Sequence, residues 1–392
     1  MDECMPIINT GLRGVEVAST RICNVLGSEG KLIYRGFLIE DLAQKASFEE
    51  VCFLLMYERL PTHEELDRFS RSLVQKRQIP ENIYGFLKGL ESNAHPMDVL
   101  QAAVPMLAQS DTLLGERSME NALLRSENLV SGIAVITAAF HRLRNNKPLV
   151  PPREDLGHAA NFLYMLTGEV PDERTAHYFD VALVLHAEHS FNASTFTARQ
   201  VASTRAHMYA AISAAIGSLS GELHGGANVR VMEMLKKIGN KEHIDGYIDD
   251  TLKAGGLIMG LGHAVYQTDD PRAKILAPMS RELGERTGQP QWYELSKTLE
   301  VRAKKAFKEH KQRDIFVNVD FYSASLFYAM GIPIDLFSPI FAVSRVIGWA
   351  AHIIEEQYAT AAPKPSLYRP GAAYVGDYCG PDECTFTDLE ER

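Results

Sequence analysis

The sequence has few cysteines, no uninterrupted apolar run long enough for a membrane span, and no run of lysine and arginine. Its five cysteines, at positions 4, 23, 52, 379 and 384, are odd in number and scattered, which argues against a disulfide framework and for a reducing compartment. The most apolar long segment, Ser338 to Ile354, contains Arg345 near its middle and falls short of about 18 apolar residues. The N-terminal MDECMPIINTGLRG lacks the basic flank and apolar stretch of a secretory signal. We therefore expect a cytoplasmic protein without a transmembrane span.

The net charge and the chain length indicate which partners and how many domains to expect. The net charge is −10, and without a basic stripe that could follow a phosphate backbone, nucleic acid is not an expected partner. The chain of 392 residues is 46% hydrophobic and 23% charged, as in ordinary globular proteins. A single core usually stops growing at this size, so we expect two domains with a cleft between them.

The local patterns predict a mostly helical chain. Residues 13 to 36 read as a short β-hairpin, and Ser47-Phe-Glu-Glu50 and Thr62-His-Glu-Glu65 are capping boxes that begin helices. His95-Pro-Met-Asp98 begins another helix, which Pro105 should kink. Further helices are predicted near residues 121–144, 154–167, 173–189, 194–219, 228–238, 242–255, 272–285, 288–310, 321–330 and 338–358. The predicted fold class is all-α.

His224 and Asp320 are candidates for chemistry, but neither is specific alone. His224 precedes Gly225-Gly226, whose N–H groups can face the same ligand atom as the imidazole. A histidine at a helix end or hydrogen-bonded in the core is the favoured interpretation of His224 by itself. Asp320 follows Asn318-Val319, where a helix N-cap is the favoured interpretation.

Two arginines predict anion binding. His263 precedes Asp270-Pro-Arg272, where Asp-Pro begins a helix and the arginine lies near an N-terminus that attracts anions. Arg345 lies inside an apolar helix and needs an anionic partner, either a buried carboxylate or a substrate. Gly260-x-Gly262 is not a dinucleotide-binding loop, because Val265 stands where the third glycine belongs and no βαβ pattern surrounds it.

Metal binding is not predicted. His186 and His189 would share a helix face near Glu188, yet no HExxH, CxxC pair or distant acidic motif completes a coordination shell. Cys379 and Cys384 are better explained as part of an unstructured tail than as ligands.

Taken together, ordered blocks from about Gly11 to Gly376 resemble the citrate synthase family, of the short bacterial type. No block is specific alone, but their order and spacing are. The blocks are Leu32-Ile-Tyr-Arg-Gly36, His95-Pro-Met-Asp98, His186-Ala-Glu-His189, Asn192-Ala-Ser-Thr-Phe196, His224-Gly-Gly-Ala-Asn228, Gly262-His263, Asp270-Pro-Arg-Ala273, Asn318-Val-Asp-Phe-Tyr322, Arg369-Pro370 and Tyr374-Val-Gly376.

The resemblance implies an all-α pair of domains and an enzyme that condenses acetyl-CoA with oxaloacetate, without a metal or other cofactor. The large domain would comprise residues 1–225 and 332–392, and a smaller mobile domain residues 226–331. Asp320 would be the catalytic base, His224 the hydrogen-bond donor to the enolate, and His263 the group that polarises the ketone.

The remaining site residues follow from the same resemblance. His189, Arg272, Arg345 and Phe341 would contact oxaloacetate or the reacting carbons, and Arg369 would act in the site of the other subunit of a homodimer. Gly262, Lys311 and Arg313 would contact CoA. For Lys311 and Arg313, charges on a solvated face are an equally good interpretation.

Some positions depart from the family pattern, and rival functions remain. Gln267 stands where many relatives have a cation for CoA phosphate, and Val229, Val317 and Ala324 replace a frequent Glu, Pro and Gly. None removes a catalytic group, but they leave acyl-chain preference open. The main alternative is a 2-methylcitrate synthase using propionyl-CoA. A citryl-CoA lyase and a noncatalytic helical scaffold are less favoured, since the scaffold has no use for six converging ionisable groups.

Overall fold

The computed structural model describes residues 11–12, 14–263, 265–374 and 386–391. Within these ranges the chain forms one small sheet and sixteen α-helices, so the all-α prediction is confirmed. Cys4, Cys379 and Cys384 and the first ten residues lie outside the described ranges. Cys23 and Cys52 are buried free thiols.

The predicted hairpin is the start of a three-stranded antiparallel sheet. Its strands are β1 (Cys23–Leu26), β2 (Lys31–Tyr34) and β3 (Phe37–Leu38). Cys23 pairs with Tyr34, and Leu26 pairs with Lys31 across the four-residue turn. The side chain of Tyr34 is fully buried beneath the sheet.

The helices follow in sequence order and account for most of the chain. They are α1 (Ile39–Lys45), α2 (Phe48–Tyr57), α3 (His63–Gln75), α4 (Glu81–Lys88), α5 (Pro96–Ala103), α6 (Met119–Arg144), α7 (His158–Thr167), α8 (Glu173–His186), α9 (Ala193–Ser203), α10 (Met208–Ser220), α11 (Ala227–Ile238), α12 (Ile244–Lys253), α13 (Pro271–Arg286), α14 (Pro290–Lys311), α15 (Val319–Ala329) and α16 (Phe337–Tyr358). Short 3-10 helices are Val104–Ser110, Lys241–His243, Ile334–Leu336 and Leu389–Glu391.

Local sequence signals set the beginning of several helices. Ser47 and Thr62 form the two predicted capping boxes with Glu50 and Glu65. The helix that begins at Pro96 ends at Ala103, and the chain continues as a 3-10 helix that contains Pro105, in agreement with the predicted kink.

The prediction of one helix over residues 194–219 is wrong. The segment contains two helices, α9 and α10, separated by Arg205, whose φ is +66°, and by His207, whose Nδ1 accepts a hydrogen bond from Ala210 N at 3.1 Å and caps α10. Ala and Ser are frequent throughout this stretch, so its composition does not show where α9 ends and α10 begins.

Two helical stretches, Met119–Arg144 and Ile334–Tyr358, are long and apolar enough to cross a membrane, but 83% and 94% of their apolar windows are buried inside the protein. Helices at the centre of a globular core have the same composition. Helix α16 packs against α6, α8, α9 and α10, which makes it the central element of the large core.

Helices α11 to α15 pack mainly against one another. Among them α13 packs on α14 and α15, and α11 packs on α15. The group also touches the rest of the chain, since α13 packs against α1 and α8. The boundaries of the predicted domains stay a prediction.

Candidate active site

A cavity of about 620 Å³ opens where the two groups of helices meet. It is bordered by β1, the loops before α9, α11 and α13, the beginning of α15 and one face of α16. Eight of the eleven predicted site residues line it, namely His189, His224, Gly262, His263, Arg272, Asp320, Phe341 and Arg345. The other three, Lys311, Arg313 and Arg369, are exposed and lie elsewhere.

His224 lies in the loop between α10 and α11, so it is neither a helix-end residue nor a closed core histidine. Its Nε2 accepts a hydrogen bond from Ser194 N at 3.1 Å and lies 2.8 Å from Ser194 Oγ. Since a backbone N–H can only donate, Nε2 carries no proton and Nδ1 must carry it. Burial, reinforced by Arg345, lowers the pKa of His224 to about 4. At neutral pH the ring is a neutral donor through Nδ1.

His263 has the opposite tautomer for the same kind of reason. Its Nδ1 accepts hydrogen bonds from Val265 N at 2.9 Å and Tyr266 N at 3.1 Å. The proton of the neutral ring therefore lies on Nε2. Burial, followed by the charge of Arg272, lowers the pKa of His263 to about 4. The two histidines thus give the cavity two neutral donors.

Asp320 is the second residue of α15, and Asn318 is the N-cap. Asn318 Oδ1 accepts from Asp320 N at 3.1 Å, so the interpretation of Asp320 as the N-cap is wrong. This leaves the Asp320 carboxylate free to face the cavity. A helix N-terminus favours a carboxylate, but burial is the larger effect and raises the pKa of Asp320 to about 6.

Backbone pairing holds the His263 loop beside Asp320. Leu261 and Val317 form an isolated antiparallel bridge, and Asn318 N donates to Gly260 O at 3.0 Å. Asn318 Nδ2 also donates to Gly262 O at 3.1 Å. One asparagine therefore caps the helix of the candidate base and fixes the loop of the second histidine.

Two buried arginines supply the cavity with positive charge. Arg272 donates from Nε and Nη2 to the two oxygens of Asp270, at 2.9 and 2.7 Å. Arg345 donates from Nε to His186 O at 2.6 Å, and its guanidinium lies 4.7 Å from the centre of the Phe341 ring. Only Nε of Arg345 has a hydrogen-bond partner among the described residues, so its terminal nitrogens can bind an anion.

His189 also lines the cavity. Its ring centre lies 5.3 Å from that of His263 and 5.6 Å from that of Tyr266. Burial and Arg272 lower the pKa of His189 well below its usual value, and its buried Nε2 has no partner among the described residues. A buried ring nitrogen without a partner is a ready contact for a substrate atom.

Sequence reasoning missed the residues that orient the three candidates. Ser194 fixes His224 and accepts from Trp349 Nε1 at 3.1 Å. The hydroxyl of Tyr34 donates to Glu188 O at 2.8 Å and accepts from Glu188 N, which closes the turn that carries His189. The tight sequence Asn192-Ala-Ser194 at a helix start signals a cap, but nothing in it points to a histidine 30 residues away.

Two of the residues considered for a metal, His186 and Glu188, have other partners. His186 Nδ1 donates to Ala182 O at 2.7 Å, and Glu188 Oε1 lies 2.9 Å from His352 Nε2. Across the described ranges, no group of three His, Cys, Asp or Glu side chains is arranged to hold a metal ion.

Comparison with known proteins places this arrangement in a family. Residues 11–371 match the family model described as "Citrate synthase, C-terminal domain". A citrate synthase of Haloferax volcanii is 43% identical over 98% of this chain and 99% of its own length. A 2-methylcitrate synthase of Mycobacterium tuberculosis is 37% identical over 95% of this chain and 91% of its own.

Solved structures agree with the sequence matches. The crystal structure of citrate synthase from Pyrobaculum aerophilum has a TM-score of 0.89 and 37% identity, covering 100% of this chain and 97% of that one. The ternary complex of carboxymethyl coenzyme A and oxaloacetate with citrate synthase from Thermoplasma acidophilum has a TM-score of 0.89 and 30% identity, covering 98% of this chain and 100% of that one. This chain therefore belongs to the citrate synthase family and is an enzyme of the acyltransferase type.

Proposed function

We propose that this enzyme condenses acetyl-CoA with oxaloacetate and hydrolyses the resulting citryl-CoA to citrate and CoA. The observation that carries the proposal is the convergence of Asp320 with two neutral histidine donors, His224 and His263, above two buried arginines. A carboxylate base with hydrogen-bond donors for two separate oxygens suits the joining of an enolate to a ketone.

Oxaloacetate would bind first through its two carboxylates. Arg272 and Arg345 are buried cations that line the cavity, and bidentate guanidinium contacts suit carboxylates. His189, whose Nε2 has no partner among the described residues, would contact a further substrate atom. His263, protonated at Nε2, would then donate to the ketone oxygen, which increases the positive charge on the carbon under attack.

Formation of the nucleophile would require Asp320 and His224 together. The methyl protons of a thioester have a pKa of roughly 20 and an ordinary carboxyl a pKa near 4, so transfer to the carboxylate alone is uphill by about 20 kcal/mol at 1.36 kcal/mol per unit. The raised pKa of Asp320, about 6, lowers this cost only slightly. His224 Nδ1–H would stabilise the oxygen that becomes negative as Asp320 removes the proton.

The condensation would then proceed without a metal or other cofactor. The enolate carbon attacks the ketone carbon, and His263 transfers its Nε2 proton to the ketone oxygen as this becomes a hydroxyl. Water attacks the thioester carbon of citryl-CoA, the C–S bond breaks, and a proton of this water goes to the CoA thiolate. The proton that Asp320 took from the methyl group returns His263 to its neutral form. Each proton has a named side chain or water as its source.

CoA would lie across the outer edge of the cavity. Gly262 lines the cavity, and its φ of +94° is one that glycine adopts without strain. Lys311 ends α14 and Arg313 follows it, both exposed, where they would meet CoA phosphates. Because Gln267 is uncharged, these two cations would carry more of the phosphate binding than in many relatives.

We further propose a homodimer with shared active sites. Tyr368 is anchored to its own subunit, where its hydroxyl donates to Glu356 Oε2 at 2.8 Å and its ring packs on Phe196 at 5.4 Å. Arg369, the next residue, is exposed and outside its own cavity, which supports a role in the partner's site. Residues 226–331 would form the mobile small domain, whose closure excludes water. The free buried thiols Cys23 and Cys52 support a cytoplasmic location.

Use of propionyl-CoA is the second candidate function, because relatives named citrate synthase and 2-methylcitrate synthase match at comparable identity. One methylene in an apolar pocket changes specificity by only about 1 to 3 kcal/mol. The test is release of free CoA thiol from acetyl-CoA and from propionyl-CoA, each with and without oxaloacetate. Oxaloacetate-dependent release with the higher kcat/KM for acetyl-CoA supports citrate synthesis, a preference for propionyl-CoA supports 2-methylcitrate synthesis, and no release from either contradicts both.

A further inference from the structure

The turn between β1 and β2 packs against the loop that carries His263. Gln267 N donates a hydrogen bond to Gly27 O at 2.9 Å. A Cβ added at Gly27 would overlap the carbonyl oxygen of Val265 and lie 2.9 Å from its carbonyl carbon. A Cβ added at Gly30 would overlap Thr268 Oγ1. Two glycines of one turn thus allow a close approach to one loop.

The peptide unit that touches Gly27 is also one that holds His263. The carbonyl of Val265 and the N–H of Tyr266 belong to the same planar, trans peptide, so they point in opposite directions. The oxygen faces Gly27, and the N–H donates to His263 Nδ1 at 3.1 Å. Because the peptide is rigid, a displacement of the Val265 oxygen also moves the Tyr266 N–H. The hydrogen bond that orients the His263 imidazole then changes.

We infer that Gly27 is a positioning residue for His263. Because Gly27 has no side chain, the β1–β2 turn can contact the Val265–Tyr266 peptide closely and hold it in place. This peptide in turn fixes the tautomer and direction of the His263 ring. The inference rests on the proposed function for its catalytic consequence, because His263 is taken there to polarise the ketone. The geometry itself does not depend on that role.

The test is Gly27→Ala, compared with Gly85→Ala as a matched control. Neither glycine has a positive φ, so alanine causes no backbone strain of its own at either position. Gly85 lies in α4, and a Cβ there meets nothing within 4 Å. We expect Gly27→Ala to lower kcat by about 10²-fold, the effect of a misplacement near 1 Å, with the KM for oxaloacetate little changed. Gly85→Ala should keep kcat near the wild-type value.

A ligand-free measurement separates this inference from the proposed function. In protein labelled with ¹⁵N-histidine, Gly27→Ala should shift the Nδ1 resonance of His263 and leave that of His224 in place. A shifted resonance in an enzyme whose wild type shows no oxaloacetate-dependent turnover would refute the function and keep the positioning role. Unchanged His263 resonances and kcat would overturn the inference.

A second pair of variants tests the same contact if the Gly27→Ala protein does not fold. In Gly30→Ala the added Cβ overlaps Thr268 Oγ1 and the φ of +65° also strains the backbone, so kcat should fall. Thr268→Ala removes the overlapping oxygen and leaves the strain, so the difference between the single and the double variant measures the contact alone. We expect Thr268→Ala to restore part of the kcat lost in Gly30→Ala. If the second substitution restores nothing, contact between turn and loop is not what controls the site.

Discussion

Asp320→Asn should abolish turnover and yet stabilise the protein at alkaline pH. Burial raises the pKa of Asp320 from 3.8 to about 6, a difference of about 2 units, or about 3 kcal/mol at 1.36 kcal/mol per unit. Below pH 4 the carboxyl is protonated in both states and no penalty exists. Between pH 4 and 6 the unfolded chain loses this proton first, so stability falls as pH rises, and above pH 6 the full penalty remains.

Asparagine has nearly the same shape and carries no charge, so it removes that penalty. We expect the free energy of unfolding at pH 8 to rise by up to about 3 kcal/mol, with little change at pH 4. Chemical denaturation at the two pH values measures the difference. The activity of wild-type enzyme should fall on the acid side with an apparent pKa of about 6, because both catalytic histidines stay neutral down to about pH 4.

Asp335→Asn is the matched control, because burial raises the Asp335 pKa but the hydrogen bond and ion pair with Arg144 outweigh it and lower this pKa overall. The sign is therefore reversed, and this variant should be no more stable than wild type at pH 8 and should keep full turnover. An Asp320→Asn enzyme with wild-type kcat, or one whose stability gain is the same at pH 4 and pH 8, would refute the reasoning.

Three further predictions test the other roles. His224→Asn should lower kcat by about 10²- to 10³-fold, the cost of removing one oxyanion donor, while calorimetric binding of oxaloacetate stays near wild type. Arg345→Leu should instead abolish that binding, since it removes a buried cation, and retained affinity would count against the anion site. Arg369→Leu should be inactive alone but recover activity when co-expressed with Asp320→Asn, because hybrid dimers contain one complete site. Absence of recovery in purified hybrid dimers would exclude a shared site.

Most of the secondary structure can be predicted from local signals in the sequence. Capping boxes at Ser47 and Thr62, Pro96 at the start of a helix and the Asp270-Pro pair act within one turn of the chain, so their effect is readable locally. The same locality explains the failure over residues 194–219. There the helix ends depend on Arg205 in a left-handed conformation and on a His207 cap, and neither is a strong signal in sequence.

The ordered blocks also identified the family and eight residues that meet in the cavity, because the residue types and their spacing are visible in the sequence. What those residues do individually was not visible. His224 and Asp320 were each better explained as structural residues, and Asp320 was assigned the cap that Asn318 forms.

The protonation states of the site residues and the directions of their side chains depend on the tertiary structure. The tautomer of His224 is set by Ser194, 30 residues earlier, and that of His263 by a peptide that a distant hairpin turn supports. The pKa of each group depends on how much water the surrounding helices exclude and on which arginine lies nearby. Each pKa therefore depends on neighbours that come from many parts of the chain, and the sequence does not show which residues become neighbours.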